Sequence, residues 1–424
     1  MNNKIKLAVA GAVLSAASAA NAGIIIPAGD WTIDINGNVN AFAIMTDAND
    51  KTATGSTVVG GLATTADADN EDRSYAINTG LLPAWLGFTG TTRQNDLDVS
   101  FTISFQPNVS DNQSSGMGDV NTPLNRQAFV TFGDKSWGSV KLGKDLGIFA
   151  GDAILNDMTL LGVGLGGSRS GGATTLGGIG SGYIYPAWKG QIAYTTPNMN
   201  GFQATIAITN PDQGQDNATG TATPTGANGG YNQDRFGIEG KASYSWTGDV
   251  AGKVWASFAS YDRTGNEGTA STGVSAGTYI QDDYTTTAYD IGASITSGNL
   301  GLVAYYYDAD GAGLTTNLLG TAGVYASGST LKKRESDGGY VQATYVIPTG
   351  TKLGVAYGVS NLDEASGETG TTLLEKNERW TVGAYHPLTK HLNLVAEYNR
   401  AEAEAHNGND AESDSVSLGA ILFF

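Results

Sequence analysis

The stretch LGIFAGDAILNDMTLLGVGLGGSRSGGATTLGGIGSGYIYPAW occupies residues 146–188, between two segments in which apolar and polar side chains alternate. It is rich in glycine, carries few charges and is far longer than the usual connection in a compact domain. A connection of this length is commonly functional, or else shows that the elements around it are wrongly assigned. We predict that residues 145–187 form a functional loop, which requires a fold with an interior large enough to hold it.

Alternation with a period of two is the main pattern on both sides of this loop. In residues 97–106, LDVSFTISFQ, apolar side chains take the odd positions and polar ones the even positions, and residues 391–399 and 415–424 repeat the pattern. Such alternation is typical of β-strands with one polar and one apolar face. An antiparallel sandwich would show the same pattern, so alternation alone does not choose between a sandwich and a barrel.

Connection lengths separate these two folds. Short turns, such as residues 134–136 and 297–298, alternate along the chain with long connections, such as 46–74 and 145–187. All long connections therefore fall on one side of the sheet, which is typical of outer-membrane barrels. The strands are predicted near residues 30–45, 75–90, 96–107, 125–133, 137–144, 188–196, 201–209, 234–247, 250–262, 284–296, 299–309, 334–347, 351–360, 378–387, 391–401 and 412–424.

These features predict an all-β protein, a transmembrane antiparallel β-barrel of 16 strands with its long third loop folded inward. In hydrocarbon every backbone N–H and C=O needs a partner, and a closed sheet has no unpaired edge. A barrel of about 16 strands leaves a water-filled lumen. The 145–187 loop is the candidate to narrow that lumen, because its glycines permit a compact path with few bulky side chains.

The first residues have the pattern of a secretory signal peptide. Residues 1–22 contain two early lysines, an apolar run and an A-x-A cleavage site at 20–22. We therefore expect an exported protein whose residues 23–424 form a single barrel domain. No other segment approaches the roughly 20 uninterrupted apolar residues of a spanning helix. The chain contains no cysteine, which excludes a small disulfide-stapled fold.

Charge and histidine content exclude several classes of function. The formal net charge of −18 argues against a nucleic-acid partner, which requires a basic surface. Solvation of the loops would explain this charge, and attraction of cations to a pore mouth is the alternative. The three histidines lack metal-ligand spacing, and no G-x-S-x-G motif occurs. We expect no catalytic residue, no metal and no cofactor.

Four motifs, in a fixed order, narrow the family. They are AWLGFTG at 84–90, RQAF at 126–129, FG at 132–133 followed by WGSVKLGK at 137–144, and YTTPNMNGF at 194–202. With the strand rhythm and the terminal Phe424, they make the chain resemble the general diffusion porins of Gram-negative outer membranes, which are homotrimers of 16-stranded barrels. The resemblance implies contact with outer-membrane lipid and lipopolysaccharide, and recognition of Phe424 by the barrel-assembly machinery.

The resemblance also implies a constriction, where acidic residues of the third loop face basic residues of the wall. Asp152 and Asp157 match the acidic segment, although a contact within the loop would explain each of them equally well. Lys144 takes the usual arginine position after the glycine at the start of the loop. Arg126 matches a wall arginine. For Arg126 the alternation favours the outward face and the resemblance favours the lumen, and we predict the lumen.

Three further wall residues are predicted. Lys141 lies two residues after the polar Ser139, on the same face of its strand, and should therefore face the lumen. Trp85 stands where the family typically has an arginine, so this position departs from the pattern, and ordinary packing is the alternative role. No third wall arginine is evident, and Lys189 is the nearest basic residue in the sequence.

The leading interpretation is an outer-membrane porin for passive diffusion of small hydrophilic solutes and ions, with a preference for cations. A substrate-selective channel on the same barrel, for sugars or aromatic solutes, is the first alternative, because Trp85 replaces a charged residue. A secreted or surface-attached β-rich adhesin is the second alternative. It does not explain why all long loops lie on one side.

Overall fold

The computed structural model of the chain describes residues 23–48, 58–64, 72–107, 109, 124–166, 174–210, 231–232, 235–265, 283–314, 323–327 and 330–424. All structural statements concern these residues. The predicted signal peptide, residues 1–22, lies outside them. Within the described ranges no helix has both the length and the apolar character needed to cross a membrane.

The alternating segments form strands, as the pattern predicts. The strands are β1 (Ile24–Ala28), β2 (Trp31–Ala48), β3 (Arg73–Asn78), β4 (Trp85–Gln94), β5 (Leu97–Gln106), β6 (Leu124–Asp134), β7 (Gly138–Leu146), β8 (Trp188–Thr195), β9 (Phe202–Thr209), β10 (Tyr231–Asn232), β11 (Gly237–Trp246), β12 (Val250–Gly265), β13 (Asp283–Ser297), β14 (Leu300–Asp310), β15 (Val324–Ser327), β16 (Thr330–Lys333), β17 (Glu335–Val346), β18 (Lys352–Leu362), β19 (Leu374–Pro387), β20 (Leu392–Ala405) and β21 (Asp410–Phe423).

Sixteen of these strands close into an antiparallel barrel, which confirms the predicted fold. They are β2, β4 to β9, β11 to β14 and β17 to β21, and each pairs with the next along the chain. Closure comes from β2, whose residues Asn38 to Ala48 pair with Phe423 to Ser413 of β21. Gly37 and Phe424 extend this seam by exchanging two backbone hydrogen bonds.

The second barrel strand is interrupted, which the alternation did not predict. Both β3 and β4 pair with β2, and the residues between them leave the sheet. Pro83 in this break lacks the N–H that a continuous strand would need. Side-chain amides of β2 replace the lost pairing, since Asn38 donates to the Pro83 carbonyl and Asn40 to that of Leu82. The break turns Leu81 and Leu82 inward, where both are buried.

A hairpin at the start of the described chain was also missed. The short strand β1 pairs antiparallel with residues 31–35 of β2, joined by a turn that contains Gly29 in a left-handed conformation. The sequence prediction placed the first strand near residue 30 and assigned nothing before it. The run of three isoleucines does not alternate, so the period-two pattern carried no signal there.

Alternation assigns the two faces of the barrel wall. On β13, Tyr289 and Ile291 are exposed on the outward face, whereas Asp290 between them is buried on the lumenal face. The same division holds on β19, where Val382 points outward and Thr381 inward. An apolar exterior around a polar interior is the arrangement of a barrel surrounded by lipid.

Candidate pore constriction

The long connection between β7 and β8 lies inside the barrel, which confirms the predicted inward loop. Its ends meet where Gly147 donates to the carbonyl of Ala187. The loop contains a short helix α1 (Gly151–Asn156) and a 3-10 turn (Met158–Leu161), neither of which was predicted. We call the described residues of this connection, 147–166 and 174–187, the constriction loop.

Buried carboxylates of the wall hold the backbone of the constriction loop. Three such carboxylates, those of Glu239, Asp290 and Glu397, accept hydrogen bonds from N–H groups of the loop. Without them these N–H groups would be unpaired in the barrel interior. Glu239 accepts from Ile148 at 2.5 Å and Phe149 at 3.0 Å, Asp290 from Ala150 at 3.1 Å, and Glu397 from Val163 at 2.9 Å and Gly164 at 2.8 Å. The loop path is therefore set by contacts with β11, β13 and β20.

Glycines of β18 let the loop pack directly on the wall. A Cβ atom at Gly358 would lie 2.1 Å from the carbonyl oxygen of Ser181. A Cβ atom at Gly354 would lie 2.7 Å from the sulfur of Met158. Real Cβ atoms do not approach other atoms so closely, so any larger residue at Gly358 would displace the returning arm of the loop.

Asp152 is in the constriction loop, as predicted, and faces two lysines of the wall. Its Oδ2 atom lies 2.8 Å from Nζ of Lys241, and its Oδ1 atom pairs with Lys253. Burial raises the pKa of this carboxyl, but the two ammonium groups outweigh burial and hold the pKa below its usual value. One carboxylate therefore serves two cations, which leaves a surplus positive charge at this point of the lumen.

The ion pairs of Asp152 set an expected response to acid. Because the folded protein lowers the pKa of this carboxyl, the pairs stabilise the loop at neutral pH and are lost as the pH falls through the lowered pKa. We expect Asp152→Asn, which lacks these ion pairs at every pH, to give noisier single-channel current than the native protein above pH 3.8, the usual value, and this difference to disappear only below it. Single-channel recording across this pH range measures the effect. A difference between the two proteins that is already lost well above that value would contradict it.

Asp157 also turns toward the wall and away from the open lumen. Its side chain accepts from the Tyr183 hydroxyl at 2.9 Å and from the Thr159 backbone N–H at 2.9 Å. The guanidinium of Arg379 lies 3.5 Å from Oδ2, and both charged side chains are almost fully buried. The predicted acidic segment is thus present in the loop. Its second carboxylate, that of Asp157, binds the loop to β19 and does not face the lumen.

The free edge of the loop is largely apolar. Within residues 151–161, all of which the structure describes, the partly exposed side chains are Leu155, Asn156, Leu160 and Leu161. The two aspartates of this segment are buried. A solute that passes the loop therefore meets mainly leucine side chains on this edge.

Two of the predicted wall residues lie on the lumenal face. Lys141 pairs with Asp145 and lies over the Phe129 ring, 5.0 Å from its centroid. Trp85 is buried, with its ring centroid 6.4 Å from that of Phe423. Lys141 is therefore neutralised within the wall, and Trp85 adds an aromatic surface where the family pattern has a charge.

Two other predicted wall residues, Lys144 and Lys189, require correction. Lys144 lies on the outward face, since it is three residues from the lumenal Lys141, and it donates to the carbonyl of Asn125. Arg126 stands at a bulge of β6, where alternation assigns no face to its side chain. Its guanidinium donates to the hydroxyl of Tyr185 in the constriction loop at 3.3 Å and lies 5.8 Å from the Trp188 ring. The lumenal position of Arg126 stays a prediction.

Lys189 does point inward, but it does not reach the open lumen. Its Nζ atom lies 2.7 Å from both Glu239 and the Tyr261 hydroxyl, and the side chain is buried. Lys189 thus neutralises one of the carboxylates that hold the loop. Its role in the described structure is to support the loop, and the prediction that it lines the pore is wrong.

Three further lysines, which the sequence motifs did not single out, also face the lumen. Lys241, Lys253 and Lys352 lie on the lumenal faces of β11, β12 and β18. A charge on the lipid face of a membrane strand costs about 2–4 kcal/mol near the bilayer centre. A lysine within a predicted strand is therefore expected to lie on the same face as the polar, lumenal side chains of that strand. This rule alone would have identified these three lysines.

Comparison with known proteins agrees with this geometry. The family model of the Gram-negative porins matches residues 7–406. No curated protein sequence matches the chain. One similar solved structure is the outer membrane channel DcaP of Acinetobacter baumannii, with 16% identity and a TM-score of 0.66 over 95% of this chain and 100% of that chain. A second is the anion-selective porin from Comamonas acidovorans, with 15% identity and a TM-score of 0.59 over 93% of this chain and 100% of that chain. A third is the trimer form of in-vitro folded OmpT of Vibrio cholerae, with 16% identity and a TM-score of 0.53 over 93% of this chain and 99% of that chain. At these identities the structures show the likeness of the fold, and the family match over most of its length shows that the chain belongs to the Gram-negative porins.

Proposed function

We propose that this porin is a passive diffusion channel for small hydrophilic solutes and ions, with a modest preference for anions at its narrowest part. Family and fold place it in the outer membrane as a diffusion channel. As in other porins, we expect no enzymatic activity. The selectivity is the part of the proposal that goes beyond the family.

One observation carries the anion preference. The side chains of Lys241 and Lys253 are 26% and 28% exposed, whereas those of Asp152 and Asp157 are 6% and 0% exposed. A permeating ion therefore meets ammonium groups, while the carboxylates face the wall and are already hydrogen-bonded. Local potential inside a pore selects ions more directly than the net charge of outer loops does.

This proposal replaces the preference for cations that the net charge suggested. The charge of −18 belongs to the whole chain, and the described lumen beside the loop does not share its sign. The anion-selective porin among the similar structures supports the replacement, although it shares only 15% identity with this chain.

Reversal potentials across a KCl gradient test the preference. We expect chloride to be preferred in the native channel, and Lys253→Met to lower the chloride-to-potassium permeability ratio about twofold, because one exposed cation is lost. Lys135→Met, in the exposed turn between β6 and β7, is the matched control and should leave the ratio unchanged. A clear potassium preference of the native channel would refute the proposal and leave the barrel intact.

We also infer that the protein is a homotrimer, since one of the similar structures is a trimer form. Residues 23–424 would then form the mature barrel domain of each protomer. Contacts with lipopolysaccharide, and recognition of Phe424 during assembly, stay predictions of the family resemblance. Light scattering of the detergent-solubilised protein, corrected for detergent, would distinguish three copies from one.

A further inference from the structure

Lys352 lies just beyond the constriction loop, toward the end of the barrel with the short turns. It is the first residue of β18 and faces the lumen. Gly354, two residues further along on the same face, is the point where Met158 of the loop contacts the wall. Two residues of a strand span about 7 Å. Lys352 is therefore about one side-chain length from the loop.

The ammonium group of Lys352 differs from those of the other lumenal lysines. Lys141, Lys189, Lys241 and Lys253 each lie within ion-pair distance of a carboxylate. No carboxylate of the described residues lies within that distance of Lys352, although the charge of Glu397 acts on it from further away. Its Nζ atom instead lies over the ring of Tyr385, 4.9 Å from the centroid.

The surface beside this cation is apolar. Tyr385 belongs to a cluster that includes Trp85 and Phe423, and Leu160 and Leu161 of the constriction loop pack against the same cluster. These two leucines are partly exposed. A largely buried cation with no carboxylate in ion-pair contact thus lies next to apolar side chains that are in part open to the lumen.

We propose that Lys352, Tyr385 and the Leu160–Leu161 edge form a binding subsite for organic anions with an apolar body, such as aromatic carboxylates. The carboxylate of the ligand would supply the direct partner that Lys352 lacks, in a charge-assisted hydrogen bond. The aromatic ring of the ligand would cover the exposed leucines, and the apolar surfaces of both would be removed from water. The inference rests on the proposed diffusion channel and names a solute class that this channel holds transiently.

Neutral sugars and small anions each lack one half of this recognition. A sugar offers no charge to Lys352, and chloride or acetate offers little apolar surface to the leucines. The subsite therefore distinguishes benzoate from acetate, which shares its charge, and from benzyl alcohol, which shares its ring. These three compounds are the probes for the test.

The test measures block of the ion current by each probe in planar bilayers. We expect benzoate to reduce the current of the native channel at millimolar concentration, and acetate and benzyl alcohol to have at least tenfold weaker effects. Lys352→Met should weaken benzoate block about tenfold, as loss of a charge-assisted contact implies. Lys352→Arg should retain the block, and Lys135→Met is the matched control that should behave as the native protein.

Each outcome decides one of the two claims. Equal effects of benzoate and acetate, or a benzoate block that survives Lys352→Met, would overturn the subsite while the channel stands. Absence of any conductance steps from the folded native protein would instead overturn the proposed function. Benzoate block that requires Lys352 and exceeds that of acetate would establish the subsite.

Discussion

Removing residues 160–182 of the constriction loop is expected to raise the single-channel conductance about twofold, because a 16-stranded barrel without its inner loop has a wide aqueous lumen. Two glycines would join Thr159 to Tyr183. The ends are close in the structure, since the Tyr183 hydroxyl lies 2.9 Å from the Asp157 carboxylate two residues before Thr159. The deleted stretch includes Val163 and Gly164, whose N–H groups bind Glu397 of β20.

The design of this deletion must take account of Glu397. That carboxylate is buried and would lose the two loop N–H groups that it accepts, at 2.9 and 2.8 Å. An uncompensated buried charge is strongly destabilising, so the deletion is combined with Glu397→Gln. A deletion of residues 268–280, between β12 and β13, is the control. Unchanged conductance of the 160–182 deletion would show that the narrowest point lies elsewhere.

Arg379→Met is expected to loosen the constriction loop without opening the barrel. The change leaves the Asp157 carboxylate, whose side chain is 0% exposed, without the cation 3.5 Å away. Breaking a buried ion pair costs about 3–5 kcal/mol, since the remaining charge has no compensation. The loop can avoid that cost by moving Asp157 into water, so we expect noisier single-channel current and a larger mean conductance.

A double variant separates the charge from other effects of the substitution. In Asp157→Asn with Arg379→Met no charge remains buried, and the amide can still bond to Tyr183 and Thr159. We expect quiet current close to that of the native protein from this pair. Equal noise in the single and double variants would mean that packing by Arg379, and not its charge, holds the loop.

Local patterns were sufficient for the barrel wall. Side chains on a strand alternate between faces by covalent geometry, so the inward position of Lys141 could be read from its neighbours in the sequence. At Arg126 a bulge of β6 interrupts the alternation, so the rule does not assign that side chain to a face. The number of strands followed from the alternation of short and long connections. After each long loop on one side of the barrel, the chain crosses the wall once and reverses in a short turn on the other side, so every connection separates two strands.

The break in the second barrel strand shows where local patterns end. Pro83 signalled a problem for a continuous strand, yet nothing nearby in the sequence showed that Asn38 and Asn40 would replace the missing backbone pairing. Those two residues lie more than 40 positions away. Their side chains reach the break only because β2 runs alongside it.

The sequence by itself determined the barrel, the faces of its strands and the presence of an inward loop, because these depend on periods and lengths that a chain shows locally. Only the tertiary structure decided what the loop presents to a solute. Asp152 and Asp157 turn to the wall, and leucines to the lumen, because cations and carboxylates of distant strands meet the loop there. The contact between Glu397 and Val163 joins residues 234 positions apart. Such contacts depend on the closed barrel as a whole, and no local pattern encodes them.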